Sequence, residues 1–180
     1  MKEIKLNLTP FGEPVLRQKA RKIKEVTDEH RALLSKMAQL MYEVRGVGLA
    51  APQVGINEAL IVVDAGSGLY KVINPVILKS EGTQSMEEGC FSVPGVGVKV
   101  KRSKRVVVEG LDENGKPLRI EAEDLLATVF QHEIDHLHGT LIIDHSSVID
   151  SLRNRKKIEA LKKKVSDEKL SKSKGKSSNV

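Results

Sequence analysis

The chain has 180 residues, which is enough for one domain with a sizeable buried core. Hydrophobic residues make up 39% and charged residues 30% of the chain, as in globular proteins. Aromatic residues are scarce, which argues against a protein that binds single-stranded nucleic acid by stacking bases on aromatic rings. A single cysteine excludes an internal disulfide, and no segment approaches the roughly 18 apolar residues of a membrane span. Because the first residues also lack the apolar run of a signal peptide, we expect a cytoplasmic protein without membrane contact.

The net charge of +6 is carried by the C-terminal end of the chain. Between Arg153 and Lys176 nearly every second or third residue is Lys or Arg, whereas the preceding part of the chain is close to balanced. Such a run is usually a solvated face, but it is also the pattern of a module that binds RNA electrostatically. Both interpretations stay open at this point.

The first long element predicted is a helix over residues 28–45, after a connecting segment in which Pro14 opens a short helix. Its apolar residues recur with the spacing of an amphipathic helix. Thr27 or Asp28 is placed to cap its start, and Gly46 is expected to end it. The residues expected to face the core are Leu33, Leu34, Met37, Leu40, Met41 and Val44.

Short strand patterns dominate the middle of the chain, separated by turn signals rich in Gly, Asn and Asp. The segment 112–115 lies between two such patterns and predicts a hairpin. The predicted strands span residues 59–63, 70–73, 76–79, 96–100, 105–111 and 118–123.

Two further helices are predicted after the strands, one from about Asp124 to Leu137, with Gly139 just past its end, and a basic one from about Val148 to Val165. The order of elements predicts an α+β fold, with mainly antiparallel strands packed around a buried metal-binding helix. Residues 166–180 have no apolar periodicity and are expected to form a disordered tail. We therefore divide the chain into a catalytic domain at 1–150, a basic C-terminal helix at 151–165 and this tail.

The strongest chemical signal is a His-Glu-x-x-His pattern at residues 132–136. Residues four apart lie about 40° apart around a helix, so His132 and His136 can reach one metal ion. Glu133 lies next to that face and can contact a water beside the ion. The alternative is a surface helix with two exposed histidines, but the apolar residues that flank the pattern favour a buried helix.

The only cysteine, Cys90, is the candidate for a third ligand. A catalytic metal site has three protein ligands and an open position, so two histidines need one more. A lone cysteine is more often a small buried hydrophobe, and a cysteine nucleophile with a histidine base is another option. The Cys/His/His set is favoured because a nucleophilic cysteine would leave the second histidine and Glu133 without a role.

The segment Gly46–Gln53 combines small residues with a polar end. Gly and Ala remove side-chain bulk, so a substrate or another backbone segment can lie against it. Gln53 offers an amide N–H to an oxygen that gains charge during attack on a carbonyl. The segment is not a dinucleotide-binding fingerprint, because it follows a helix and not a strand.

These three segments together resemble the motifs of peptide deformylases. That family carries Gly-x-Gly-x-Ala-Ala-x-Gln, here residues 46–53, then Glu-Gly-Cys-Leu-Ser, here residues 88–92, and Gln-His-Glu-x-Asp-His, here residues 131–136. Their order and approximate spacing match, and the resemblance covers about residues 5–150. One departure is Phe91, which stands where the family usually has Leu and could narrow the neighbouring pocket.

The resemblance implies a metal-dependent hydrolase that acts on N-formylated nascent peptides. Cys90, His132 and His136 would bind one divalent metal ion, with Fe²⁺ expected in the cell and Zn²⁺, Ni²⁺ or Co²⁺ able to replace it. Because such an enzyme acts at the ribosomal exit, the basic C-terminal helix becomes a candidate for docking to the ribosome.

The resemblance also assigns catalytic roles. Glu133 would take a proton from the attacking water and pass it to the departing amine. Gln53 and the N–H of Phe91 would stabilise the formyl oxygen. The products would be formate and a free N-terminal methionine.

The methionine side chain of such a substrate needs an apolar slot. Residues three, four and seven before His132 share its face of the helix, and we predict that they line this slot together with the small-residue segment. The segment 96–100, which contains Gly97, could offer a strand edge to the substrate backbone. The predicted pocket residues are Val47, Gly48, Leu125, Thr128 and Val129.

The rival enzyme class is a broad metalloprotease of the His-Glu-x-x-His type. Such enzymes take their third ligand downstream of the pattern, where Asp144, His145 and Asp150 are available. The upstream motif around Cys90 favours the deformylase.

Overall fold

The computed structural model describes residues 6–176, with side chains through residue 167. Within this part of the chain lie three α-helices, α1 (Asp28–Glu43), α2 (Asp124–Leu137) and α3 (Val148–Lys176). The strands are β1 (Gly48–Ala50), β2 (Leu60–Val63), β3 (Tyr70–Glu81), β4 (Gln84–Gly89), β5 (Gly97–Arg102), β6 (Arg105–Leu111) and β7 (Pro117–Glu123).

The strands form two antiparallel sheets, so the predicted α+β class with antiparallel pairing is confirmed. Five strands pair in the order β1-β2-β3-β6-β7, and β4 pairs with β5 in a separate hairpin. The predicted turn at 112–115 joins β6 to β7, with Leu111 opposite Pro117. In the separate hairpin Gly89 lies opposite Gly97, next to the segment that carries Cys90.

The core is built on both faces of the five-stranded sheet. Ile61 and Val63 of β2 pack with α2, whereas the alternate residues Leu60 and Val62 pack with α1. Successive side chains of a strand point to opposite faces, so a strand covered by helices on both sides is apolar throughout. This explains why all four residues of β2 are fully buried.

Helix α2 lies between the five-stranded sheet and the β4–β5 hairpin. Phe130, Ile134 and Leu137 belong to the core cluster that includes the sheet. The neighbouring helical positions face the hairpin instead, where His132 contacts Glu88 of β4. The periodicity that buries one side of α2 therefore turns the His-Glu-x-x-His residues towards the cysteine segment.

Some element boundaries differ from the sequence prediction. The two strands expected at 70–73 and 76–79 form one strand, β3, with a register shift between Ile73 and Val76. Asn74, at φ 54°, is anchored at this bulge because its Oδ1 accepts the N–H of Ile23 at 2.9 Å. Strands β1 and β4 were not predicted, since β1 has only three residues, Gly48–Ala50, and β4 has a mostly polar sequence.

The end of α1 also differs from the prediction. Thr27 caps the start as expected, with its N–H donating to Nδ1 of His30 at 3.0 Å. At the other end, however, the left-handed residue is Arg45, at φ 56°, and not Gly46. Gly46 serves another purpose, because a Cβ there would lie 2.8 Å from Cε2 of Phe91.

Helix α3 packs on the rest of the molecule through one stripe. Asn154 is buried and donates to the carbonyl oxygen of Gly97 at 2.7 Å, and Ile158 and Leu161 pack on the cluster that includes β5. The helix begins at Val148, close to the predicted boundary at residue 150, and the division into a catalytic domain and a basic helix stays a prediction. The helix was expected to end near residue 165 but continues to Lys176, and residues 177–180 of the expected tail lie outside the described residues. No described helix is long and apolar enough to cross a membrane.

Candidate active site

Three potential metal ligands converge between α2 and the end of β4. The Nε2 atom of His136 lies 3.2 Å from Sγ of Cys90 and 3.3 Å from Nε2 of His132. These donor atoms all lie within 4.8 Å of one another, and they form the one such cluster found among the described His, Cys, Asp and Glu residues.

The donor geometry fits a divalent ion. Two imidazole nitrogens bound at about 2.0–2.1 Å to a tetrahedral ion lie about 3.3 Å apart. The two histidines differ electrostatically: burial lowers the pKa of His132, but hydrogen bonds with Cys90 and Glu88 outweigh burial and raise it to about 10, whereas burial and the neighbouring His132 lower the pKa of His136. Thiolate and imidazole donors together suit iron, nickel, cobalt or zinc better than magnesium or calcium.

A buried hydrogen-bond network contacts His132 on the side of its ring that faces away from the ligand cluster. Its Nδ1 lies 2.9 Å from Oε2 of Glu88, which leaves Nε2 facing the cluster. Arg102 donates to both carboxylate oxygens of Glu88, at 2.8 and 2.9 Å, and to Oδ2 of Asp135 at 2.6 Å. His145 contacts the same Asp135 oxygen at 2.9 Å, so the network extends from the ligand to an exposed histidine.

Glu133 has no such partner. Its carboxylate lies against Gly48, so close that a Cβ at that position would collide with it, and its Oε2 is buried without a hydrogen bond to a described residue. Burial raises the pKa of Glu133 to about 7, and the neighbouring His132 opposes this shift without cancelling it. A carboxyl group with this pKa can both accept and donate a proton near neutral pH.

The structure holds Gln53 in one orientation and places Phe91 at the cavity wall. The Oε1 atom of Gln53 accepts the N–H of Ala50 at 2.8 Å, which turns its Nε2 towards Sγ of Cys90 at 3.6 Å. The N–H of Phe91 makes no hydrogen bond with a residue that the structure describes. Its ring lies against Gly46, as the missing Cβ of that glycine allows. Two N–H groups are therefore available near the ligand cluster.

A cavity of about 290 Å³ opens beside these groups. All five predicted pocket residues line it, together with Cys90, His132 and Glu133. The strand that borders the cavity is β4 and not the expected 96–100 segment, because β5 lies behind β4 and Gly97 gives its carbonyl oxygen to α3. The predicted pocket residues in this lining are Val47, Gly48, Leu125, Thr128 and Val129.

The downstream ligands of the rival protease model are engaged elsewhere. Asp144 pairs with Arg17, and His145 contacts Asp135. Asp150 is buried and accepts from Ser147 at 2.8 Å. None of the three belongs to the ligand cluster, so the geometry argues against that class.

Comparison with known proteins identifies the family. The Polypeptide deformylase family model matches residues 5–153. The chain belongs to the peptide deformylase family. Among its relatives, the peptide deformylase of Halothermothrix orenii is 52% identical over 141 residues, covering 77% of this chain and 92% of that protein. The peptide deformylase of Thermodesulfovibrio yellowstonii is 45% identical over 162 residues, covering 87% and 98%.

Solved peptide deformylases share the fold. The Thermotoga maritima structure has a TM-score of 0.78 and 42% identity, covering 81% of this chain and 99% of that one. The Synechococcus elongatus structure, a complex with actinonin, has a TM-score of 0.81 and 41% identity, covering 87% and 88%. The deformylase expected from the sequence motifs is thus confirmed, as a metallohydrolase that removes the N-formyl group from newly made polypeptides.

Sequence reasoning missed part of this deformylase site. Glu88 was visible only as a neighbour of Cys90, and Arg102 and Asp135 were given no role, although together they hold His132. The signal that could have pointed to them is Arg102 itself, which follows Val98 and Val100 on the inward side of an alternating strand, where a buried charge needs carboxylate partners. Three more residues that line the cavity were also missed, namely Arg45, Met86 and Glu87.

Proposed function

We propose that this deformylase holds its ion on Cys90, His132 and His136 and uses Glu133 as its acid–base group. The observation that carries the proposal is that the three donor atoms cluster beside one cavity, which Cys90, His132 and the unpaired Glu133 line. When bound there, a divalent ion lowers the pKa of a coordinated water to about 7 and polarises a carbonyl.

In this proposal Glu133 moves the protons. It takes one from the attacking water and later gives it to the departing amine, so that formate and a free N-terminal amine result. Its pKa near 7 keeps both protonation states accessible. Gly48 sets its position, because the absent side chain lets the carboxylate approach the β1 backbone.

Gln53 and the Phe91 N–H are proposed to stabilise the formyl oxygen as it gains charge. Both N–H groups flank Cys90, and the hydrogen bond from Ala50 fixes the Gln53 amide before substrate arrives. A preorganised donor of this kind is worth roughly 3–4 kcal/mol of transition-state stabilisation. The methionine side chain is proposed to enter the slot between Val47 and Gly48 on one side and the α2 residues Leu125, Thr128 and Val129 on the other.

Formate release from a formyl-Met-Ala peptide tests these roles. Protein loaded with Fe²⁺ without oxygen should turn over, whereas Glu133→Gln should lose about 10²–10⁴-fold in kcat while keeping one ion per chain. Glu29→Gln, an exposed carboxylate on α1, is the matched control and should match the parent. Full turnover by Glu133→Gln would remove Glu133 from the mechanism, and metal analysis of protein purified without oxygen tests whether Fe²⁺ is the resident ion.

We further propose that the enzyme acts in the cytoplasm and docks to the ribosome through α3. The outward face of this helix carries exposed cations, whereas its inward stripe packs on the core. Clustered cations attract RNA phosphates, and such binding weakens steeply with salt. The exposed cations of this face include Arg155, Lys156, Lys157, Lys162, Lys163 and Lys164.

Charge substitution is the sharper test of docking, because truncation before α3 would also uncover the apolar cluster beneath Ile158 and Leu161. Replacing four α3 lysines with Gln should reduce cosedimentation with ribosomes at low salt and flatten its salt dependence. A control variant loses four exposed lysines elsewhere. Equal binding by the two variants would contradict the proposal. The α3 set is Lys156, Lys157, Lys163 and Lys164, and the control set is Lys19, Lys22, Lys24 and Lys101.

A further inference from the structure

Arg45 differs from the other arginines whose side chains the structure describes. Each of the others forms an ion pair or a hydrogen bond, as Arg102 does with Glu88 and Arg21 does with the carbonyl oxygen of Asn57. The guanidinium of Arg45 forms neither with any described residue. It is exposed, and it lines the cavity that contains the metal ligands.

The end of α1 fixes the position of Arg45. Its N–H donates to the carbonyl oxygen of Tyr42 at 3.0 Å, and the next N–H, of Gly46, donates to that of Met41 at 2.8 Å. These two bonds close the helix with Arg45 in the left-handed conformation. The carbonyl oxygen of Val47 then accepts the N–H of Asp64 at 2.9 Å, so the backbone is held on both sides of the arginine.

Arg45 is also the one Lys or Arg among the described residues that line the cavity. Three carboxylates line the same cavity, and each is either near an arginine or buried. Glu88 is paired with Arg102, Glu133 is fully buried, and the exposed Glu87 lies 3.6 Å from Arg153, which also pairs with Asp150 at 3.0 Å. Arg45 is therefore the one exposed charge of this cavity wall that has no ion-pair partner among the described residues.

The distance from the reaction centre suits contact with the substrate chain beyond its methionine. Arg45 is three residues before Gly48, which touches Glu133, so the two backbones are at most about 10–11 Å apart. An extended substrate advances about 3.3 Å per residue. A long arginine side chain can therefore meet the second or third side chain of a peptide whose formyl group lies beside Glu133.

We propose that Arg45 selects substrates by charge, favouring formyl-Met peptides with Asp or Glu at the second or third position over those with Lys or Arg. This inference rests on the proposed placement of the formyl group beside Glu133. An exposed ion pair is worth up to about fivefold in affinity, and the like-charge contact costs a similar amount. We expect the acidic peptide to exceed the basic one by about three- to tenfold in kcat/KM.

The test compares formyl-Met-Glu-Glu with formyl-Met-Lys-Lys, using formyl-Met-Ala-Ala as the neutral reference, in parent protein, Arg45→Asn and Arg45→Glu. Asn tolerates the left-handed conformation, so Arg45→Asn removes the charge without disturbing the helix end. The acidic-to-basic ratio should fall to about one in Arg45→Asn and invert in Arg45→Glu. Lys24→Gln, an exposed cation outside the cavity lining, is the matched control and should keep the parent ratio.

The outcomes separate this inference from the proposed function. Absence of turnover on the neutral peptide would contradict the proposed function itself. Turnover with the same acidic-to-basic ratio in parent protein and Arg45→Asn would overturn the role of Arg45 alone. A ratio that Arg45→Asn abolishes and that also shrinks at 0.5 M salt would support it, since exposed charge contacts are screened.

Discussion

Two buried carboxylates border the ligand cluster, and their surroundings make them chemically different. Burial raises the pKa of Glu88, but hydrogen bonds from Arg102 and His132 outweigh it and lower the pKa to about 2. Burial also raises the pKa of Glu133, to about 7, and no hydrogen bond reverses the shift. The two glutamates therefore titrate differently. Glu88 stays charged near neutral pH, whereas Glu133 can exchange a proton there.

This difference separates a support side, which contains Glu88 and Arg102 and holds the ligand His132, from a reactive side, which contains Glu133. On the support side, Arg102 ties β5, β4 and α2 together through Glu88 and Asp135. On the reactive side, the Glu133 carboxylate lies against Gly48, and its Oε2 is buried without a hydrogen bond to a described residue. Each side can be disturbed separately, and the following variants do so in order of expected effect.

Arg102→Met should break the support side and cost about 3–5 kcal/mol in the free energy of unfolding, because it leaves two carboxylates without their cation. Urea unfolding of the metal-free protein measures this. The matched control is Arg119→Met, whose exposed pair with Glu109 should be worth less than about 1 kcal/mol. Equal losses in the two variants would mean that the buried network does not hold the site.

Gly48→Ala should disturb the reactive side. Its new Cβ would collide with the Glu133 carboxylate and lie 2.8 Å from Cγ1 of Val129. We expect a loss of about 1–3 kcal/mol in stability from overpacking and of up to about 10²-fold in kcat from a misplaced base. In Gly89→Ala the added Cβ meets nothing within 4 Å, so its stability should barely change, and equal destabilisation of both variants would contradict the expected collision.

Asp144→Ala should have the smallest effect on the free energy of unfolding. The pair that it removes, between Asp144 and Arg17, is exposed, unlike the buried pair of Arg102 with Glu88. Asp144 pairs with Arg17 and accepts the N–H of Leu141 at 2.8 Å. Burial raises its pKa, but the bond from Arg17 outweighs this and the net pKa lies below its ordinary value of 3.8. The variant should lose about 1 kcal/mol at pH 7.

The sign of the pH dependence follows from that lowered pKa. The contribution of Asp144 is complete above the unfolded-state pKa and disappears as pH falls through the folded-state value. Unfolding curves of parent and variant should therefore differ above the unfolded-state pKa and converge once the pH falls below the lowered folded-state pKa. A constant difference at all pH values would show that the charge of Asp144 is irrelevant.

Local patterns were enough to predict the helices and most of the sheet. Residues 124–137 form a helix within the predicted bounds, and β6 matches its predicted range, because both follow simple apolar periodicities. Strand β4 escaped prediction because Glu88 is buried through its pairing with Arg102 and not through apolar character. Arg45 replaced Gly46 as the left-handed residue because the hydrogen bonds of the helix end determine that position.

The motifs predicted the residues that meet at the cavity, but not those that hold them in place. Cys90 and His136 are 46 residues apart and were joined by chemical reasoning about a metal site. The alternation of β5 marks Arg102 as an inward residue but does not identify its partners, which come from β4 and α2 and are brought together only by folding. Support of this kind is a property of the tertiary structure and leaves little trace in a single sequence.

The half-exposed thiol of Cys90 has a consequence for oxidative damage. It lies on the wall of a cavity that must stay open to substrate, so peroxide can reach it too. A thiolate oxidises first to sulfenic acid, which a neighbouring thiol can rescue by forming a disulfide. This chain has no second cysteine, so any rescue must come from a small thiol in solution, and without one oxidation proceeds to the irreversible sulfinic acid.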